Sequence, residues 1–578
     1  MIEKDRFKEF EETRKQIKTE LPKADFELDR IEEYKVAMRD KVVLNTSAYF
    51  PSGEGPWPAI LVRNPYPNNF KYYDALYSML VEHGYVLVIQ DNRGTRKSEG
   101  KWEPFINERN DGIDTLSWLI KQKWQNGNIG TFGASYLAFC QWMVADSLPS
   151  EVKTMFLDVF GTERYNQVYM NGMFRHDIYT SWAYQNSGLN PETDPGELYQ
   201  KAISIRPHIE ADKELLGAEI PFYREYLLNR ESSGEYWQKG VWAELKKMPL
   251  KVNVPVFMLD GWFDHHLDGS VSGYLGLNDE IKKKSRFIIG PWDHLENSPG
   301  ELSYPNSKVL GAFNIKAALE WFDYMLKGKP YNHELGVIDA YMVGDGEWKQ
   351  YKSWPPKAEN KKMYLEKSKQ NFKGGIVSEI KPHKEENLKY KYDPDKYIMT
   401  NGGTALLAWI APGYGDIKHG SRIQDEPGKR EDILTFISEP FKKDCKISGN
   451  IKVNLSVSTD AEDTAFAAKV MVILKDGRTF NICDGITSLI YRNKTDHALE
   501  YEPNEVVQVQ IECWPISWCI EEGSKLRIDI SSSNFPAYNN HPNKKQNWAL
   551  VKDTFIAEQT IYVGNEKSSY IELPIVNI

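Results

Sequence analysis

Between Tyr34 and about Phe160 the chain alternates nearly continuous apolar runs with helical patterns, and this limits the fold more than any other feature. "WPAILVRNPYP" is a buried strand stopped by prolines, and "GYVLVIQDNRG" is a second apolar run. "NDGIDTLSWLIKQKW" has helical spacing, with Ile113, Leu116 and Ile120 on one face and Asn110 or Asp111 placed to cap it. "NIGTFGAS" and "VKTMFLDVF" supply two more strands. Strands without polar alternation, separated by helices, imply a parallel sheet covered on both faces. Ahead of them, "YKVAMRDKVVLNTSAYF" reads as a hairpin turning at Arg39-Asp40.

The pattern then changes twice. From about 162 to 248 the strand signal lapses into a helical, aromatic segment that reads as a cap inserted into the sheet domain. "VPVFMLDGWFDHH", "RFIIGPWDH" and the amphipathic "IKAALEWFDYMLKGKP" return to the sheet domain over 249–334. From 335 to 578, short alternating runs such as "IKVNLSVSTD" and "KLRIDISSS" lie between Gly, Asp, Asn and Pro, the signature of an antiparallel sandwich or jelly roll. Residues 1–33 read as a charged amphipathic helical arm with Phe7, Phe10, Ile17 and Leu21 on its apolar side, packed on the body or used in a homodimer contact. The expected organisation is therefore arm (1–33), sheet domain (34–161 and 249–334), helical cap (162–248) and β-sandwich (335–578), in a chain of 578 residues that is too long for one core.

Composition narrows the partners. A net charge of -10 argues against nucleic acid, which needs a basic face. No apolar run approaches the roughly 18 residues of a membrane helix, and the charged start lacks the apolar stretch of a signal peptide. Five cysteines without a metal-ligand pattern fit a reduced, cytoplasmic setting. The expected partner is a small-molecule substrate, with no cofactor and no metal.

The chemistry centres on Ser135 in "GTFGASYLAFCQW". A serine hydroxyl needs a base, a group that orients the base, and donors for the oxyanion. Gly133 and Ser135 match the first half of the G-x-S-x-G turn, but Leu137 stands where that motif has its second glycine. By itself this fits a nucleophile and a loop serine equally well. Asp264 follows the strand "VPVFML" and His294 follows "RFIIG". Both fall where a parallel sheet presents ligands, and the order Ser, acid, His is that of α/β-hydrolases. Asp260, Asp268 and Asp293 are rival acids. A metal site from His265, His266 and Asp268 is set aside because adjacent side chains on an extended strand face opposite ways.

These segments together resemble the cocaine esterase / X-Pro dipeptidyl-peptidase (CocE/NonD) family of serine hydrolases. Gly133-Ala134-Ser135-Tyr136-Leu137-Ala138 resembles its G-x-S-Y-x-G, with Ala138 for the last glycine. "DNRGTRKSEG" resembles its D-x-R-G-x-G-x-S-x-G, with Arg96 for a glycine, and "DGWFD" and "GPWDH" resemble its acid and histidine motifs. "DILTFISEPF", "DGRTFNICDGI" and "ISSSNFP" resemble its jelly-roll domain, so the likeness runs from about 34 to 578.

The resemblance implies an α/β-hydrolase domain with a cap and a C-terminal jelly roll. It implies Ser135 as nucleophile, His294 as base, and Asp264, through the "GWxD" match, as the acid that orients it. The Tyr136 N–H and the Tyr66 phenol would form the oxyanion hole. Family members that take α-amino acyl groups carry a Glu-Asp pair two and three residues past the catalytic acid, where this chain has His266 and Leu267. The expected activity is cleavage of a small ester or amide, with X-Pro dipeptidyl or aminoacyl peptidase as the enzymatic alternative. A binding protein that uses the β-sandwich, its triad decayed, is the alternative of another class. His266 is expected to contact the acyl or leaving group. Trp182 and Phe174, among the cap aromatics Tyr165, Tyr169 and Tyr184, are candidates for the pocket roof.

Overall fold

The computed structural model describes residues 15, 17–66, 70–189, 193–307, 315–405 and 419–577. Its first layer is a ten-stranded sheet. The strands are β1 (Leu28–Ala37), β2 (Val43–Pro51), β3 (Trp57–Asn64), β4 (Val86–Asp91), β5 (Gln125–Ala134) and β6 (Val152–Asp158). After a short cap hairpin, β7 (Tyr169–Met170) and β8 (Met173–Phe174), come β9 (Val256–Gly261), β10 (Arg286–Gly290), β11 (Val337–Met342) and β12 (Glu347–Tyr351). The order is β1-β2-β4-β3-β5-β6-β9-β10-β11-β12. The strands from β4 across to β11 run parallel, with antiparallel pairs only at the two edges. All six residues of β4 and of β9 are buried, which is why their sequences carry no polar alternation.

Both ends of this sheet differ from the sequence expectation. Leu28–Glu33, assigned to a helical arm, lie in β1, paired with β2 across the turn at Arg39-Asp40. "LDRIEEY" is charged enough to suggest a helix, but an exposed edge strand tolerates those charges and is protected by them. Phe7 and Phe10 lie outside the described residues, whereas Ile17 is buried. At the other end β11 and β12 lie past residue 334, yet they belong to this sheet. The helix Ile315–Lys327 makes the crossover that returns β11 parallel to β10.

Helices from Arg164 to Lys251 form the cap, beginning with the short helix Arg164–Val168. An all-β domain follows, from Glu359 to Ile575, with thirteen strands among the described residues. Cap and all-β domain share a core. The Phe174 and Trp548 rings lie 5.5 Å apart, and Asp177 N donates to Pro536 O at 2.8 Å. The buried Arg230 of the cap stands 3.5 Å from Asp463 of the all-β domain.

Candidate active site

The nucleophile turn is built by steric necessity. Gly133 has φ +153°, and a Cβ there would stand 2.4 Å from Leu137 Cβ. Ser135 has φ 56° and ψ -126°, a conformation that non-glycine residues adopt only when their surroundings enforce it. The enforcement is visible. Ser135 N donates to Asp158 O at the end of β6, and the helix Tyr136–Trp142 starts at the next residue. Ala138 lies inside that helix, where alanine costs less than the glycine it replaces. Ser135 is partly exposed while its neighbours on both sides are buried.

Loops beyond β9 and β10 converge by backbone pairing. Trp262 N donates to Gly290 O at 2.9 Å, and Phe263 N to Trp292 O at 3.0 Å. This brings fully buried Asp264 against His294, whose Nδ1 lies 2.6 Å from Asp264 Oδ2. The backbone N–H of His266 donates to Asp264 Oδ1 at 2.6 Å, so both carboxylate oxygens are fixed. The rival acids face elsewhere. Asp260 accepts the Gly261 N–H, Asp268 accepts from Asn166, and Asp293 accepts from the Leu295 and Asn297 amides and pairs with His419 at 2.7 Å.

On the other side of the elbow stands Tyr66. The Trp182 indole donates to its oxygen at 3.4 Å, and the Ser135 hydroxyl is within hydrogen-bonding reach. Burial pushes the Tyr66 phenol up to about 12, so near neutral pH it is a donor. The Tyr136 ring is itself pinned. Its hydroxyl donates to Glu108 Oε1 at 2.7 Å and accepts from Phe105 N at 2.6 Å. Burial raises both the Tyr136 phenol and the Glu108 carboxyl.

The predicted pocket residues divide. Trp182 stacks at 6.1 Å on Tyr136 and His266 lies 5.4 Å from the His294 ring, so both belong to this group. Phe174 does not. It is fully buried, with Tyr169, Tyr179, Tyr223 and Trp548 as ring neighbours, and serves the seam between cap and all-β domain. Its spacing on the sequence resembled that of a pocket aromatic because packed and lining aromatics share the same pattern.

The sequence reading missed Phe105, Phe160 and Arg164. The Phe105 ring lies 4.9 Å from Tyr136 and 5.6 Å from Trp182, and Phe160 lies 4.8 Å from His266. Arg164 is buried with its guanidinium 5.0 Å from the Phe105 ring and 4.7 Å from Tyr179, bonded to Tyr226 and Gln167. No local pattern marks them: Phe105 comes from the turn before the helix Glu108–Leu119, and Phe160 and Arg164 from the connection that follows β6. His265 and His266 also depart from the extended geometry assumed for them. They lie in the turn that enters the helix Leu267–Leu275, and their rings are 3.9 Å apart. Burial, with neighbouring cations adding to it, holds both imidazoles well below the usual histidine range.

A serine on a strained strand-to-helix turn, over a parallel sheet whose next loops carry a joined Asp–His pair, defines a serine hydrolase of the α/β-hydrolase class. Comparison with known proteins agrees along most of the chain. Residues 40–296 match the model of the X-Pro dipeptidyl-peptidase (S15) family, and residues 332–572 match the X-Pro dipeptidyl-peptidase C-terminal non-catalytic domain. Cocaine esterase from Rhodococcus sp. (strain MB1 Bresler) is 29% identical over 576 residues, covering 94% of this chain and 97% of the relative. An aminopeptidase from a Thaumarchaeota archaeon of marine sediment superposes with a TM-score of 0.81 at 22% identity, covering 96% of this chain and 97% of its own. An α-amino acid ester hydrolase gives 0.77 at 21% identity over the same shares. The chain belongs to the CocE/NonD family, the S15-type serine hydrolases.

Proposed function

We propose that this chain hydrolyses a small ester or amide through an acyl-enzyme on Ser135. Ser135 Oγ attacks the carbonyl carbon as His294 Nε2 takes its proton. Asp264 keeps His294 Nδ1 protonated and stabilises the imidazolium. The oxyanion meets the Tyr66 hydroxyl and the Tyr136 N–H, one of the first N–H groups of its helix and so without a carbonyl partner inside it. His294 then protonates the leaving group, and water repeats the sequence to release the acid. The observation that carries this reading is the 2.6 Å Asp264–His294 contact on the loops beside an elbow whose serine has φ 56°.

The aromatic wall of Phe105, Phe160 and Trp182 suits an apolar acyl or leaving group. The relative named cocaine esterase supports the ester reading. The S15 model and the aminopeptidase keep the peptidase alternative in play, but His266 and Leu267 stand where an ammonium-binding pair is expected. A cytoplasmic setting is supported by five cysteines that are all buried and free. No helix among the described residues is long and apolar enough to cross a membrane.

The test is a parallel assay of short-chain nitrophenyl esters, aryl amides and an X-Pro anilide, with Ser135→Ala as blank. Ester or simple amide turnover that vanishes in the blank is expected. Turnover of the X-Pro anilide alone would make the peptidase reading the right one.

A further inference from the structure

We propose that His265, His266 and His294 form a binding site for a divalent transition-metal ion, Zn²⁺ by its donor chemistry, and that the bound ion switches the hydrolase off. All three imidazoles are buried, and one nitrogen of each lies within 4.8 Å of those of the other two. Their ring centroids are 3.9, 5.0 and 5.4 Å apart. A tetrahedral zinc site with bonds of about 2.0–2.1 Å sets its ligand nitrogens roughly 3.4 Å apart, so ring rotations with a small contraction close the group on an ion.

Two further features point to a ligand. The Nδ1 atom of His266 is sealed from solvent and makes no hydrogen bond, which is costly for a buried polar atom unless something pairs with it. Asp264 stands behind two of the rings. Its Oδ2 lies 2.6 Å from His294 Nδ1 and its Oδ1 3.5 Å from His265 Nδ1. A carboxylate behind an imidazole is the usual support of a metal-bound histidine, because it fixes the ring and makes the far nitrogen a better donor. With Nδ1 held by Asp264, the nitrogen of His294 that would take the ion is Nε2.

Three imidazoles leaving a fourth position to water suit Zn²⁺, Cu²⁺ or Ni²⁺ and are poor ligands for Mg²⁺ or Ca²⁺. Switching follows from a single atom. His294 Nε2 cannot hold an ion and accept the Ser135 proton. This consequence rests on the role proposed for His294, whereas binding of the ion does not.

The experiment titrates chelator-treated wild-type chain and Ser135→Ala with Co²⁺, reading visible absorption, with Zn²⁺ as competitor and ester turnover of the wild type in parallel. One ion per chain is expected in both proteins, with four-coordinate Co²⁺ bands erased by Zn²⁺. Turnover should fall as the site fills and return with EDTA. His265→Gln and His266→Gln should each weaken Co²⁺ binding by at least about tenfold. X-ray absorption on the wild-type chain, which needs no variant to fold, should show imidazole scattering from three ligands. Absence of stoichiometric binding, imidazole scattering from fewer than three ligands, or binding undiminished in both histidine variants overturns the site. Binding in a chain that turns over neither esters nor amides would sink the proposed activity while leaving the metal site standing; turnover without binding does the reverse.

Discussion

Asp264 holds His294 through Oδ2 at 2.6 Å and is itself held through Oδ1 by the backbone N–H of His266, also at 2.6 Å. The aspartate thus joins the loop beyond β9 to the loop beyond β10, and a helix entry locks its second oxygen. Asp264→Asn keeps the shape but presents an amide that can donate to His294 Nδ1 and stabilise the wrong tautomer. Turnover is expected to fall by about 10⁴-fold, with KM little changed and the fold retained. Steady-state kinetics beside circular dichroism check this. A loss under about tenfold would assign the orienting role to another group.

In the proposed mechanism Tyr66 contributes one oxyanion donor. Tyr66→Phe removes the hydroxyl and leaves the ring packed, so kcat should fall by roughly 10²–10³ while KM stays within a few-fold. Trp182→Phe, which frees that hydroxyl from the indole 3.4 Å away, should have a much smaller effect. Equal losses from the two variants would show that Tyr66 acts through packing.

Tyr136 braces the elbow from beneath. Tyr136→Phe strips a partner from both Glu108 and the Phe105 N–H, two groups buried in the core. Each group left unpaired costs about 1–3 kcal/mol. A clear drop in the denaturation midpoint is expected, and Glu108→Gln, which can still accept from the tyrosine, should cost less. Unchanged midpoints in both would remove the brace.

The pH dependence of stability carries opposite signs in the two domains. Burial raises Asp158 and Asp260 well above the ordinary carboxyl range, with the Asp264 charge adding to the shift at Asp260. A folded pKa above the unfolded value of about 3.9 means that the native state holds the extra proton, so stability falls as pH rises from about 4 through the folded values. In the all-β domain, burial alone would raise Asp463, but His541 and Arg230 outweigh it and lower that carboxyl. Its contribution is present above about 4 and is lost as pH falls through its folded value. Asp158→Asn should therefore raise the melting temperature more at pH 8 than at pH 5, with Glu296 in place to accept from the amide. Asp463→Asn should be most harmful at neutral pH and least harmful in acid. Melting curves across pH read both, and parallel shifts at every pH would contradict them.

The sequence revealed most where one local rule decides the structure. Buried parallel strands lack polar alternation, so β3 to β6, β9 and β10 were legible, as was the rim on which their loops must lie. The Ser, Asp, His order was legible for the same reason, since each residue follows its own strand. Edges were not. β1 carries an edge strand's charges, and β12 leaves the sheet's parallel pattern. The pocket was legible only in part. Trp182 and Phe174 look alike on the sequence, and only the packed cap separates the ring stacked on Tyr136 from the one against Trp548. The His265–His266 pair was misread because a turn, and not the preceding strand, sets the direction of its side chains.

The central claim is that Ser135 is the nucleophile and His294 its base. Intact-protein and peptide mass spectrometry after reaction with a fluorophosphonate tests it most directly. One phosphonyl group per chain on the Ser135 peptide is expected, absent in Ser135→Ala and formed far more slowly in His294→Ala. A chain that takes no label, or one whose label survives Ser135→Ala, would contradict the account.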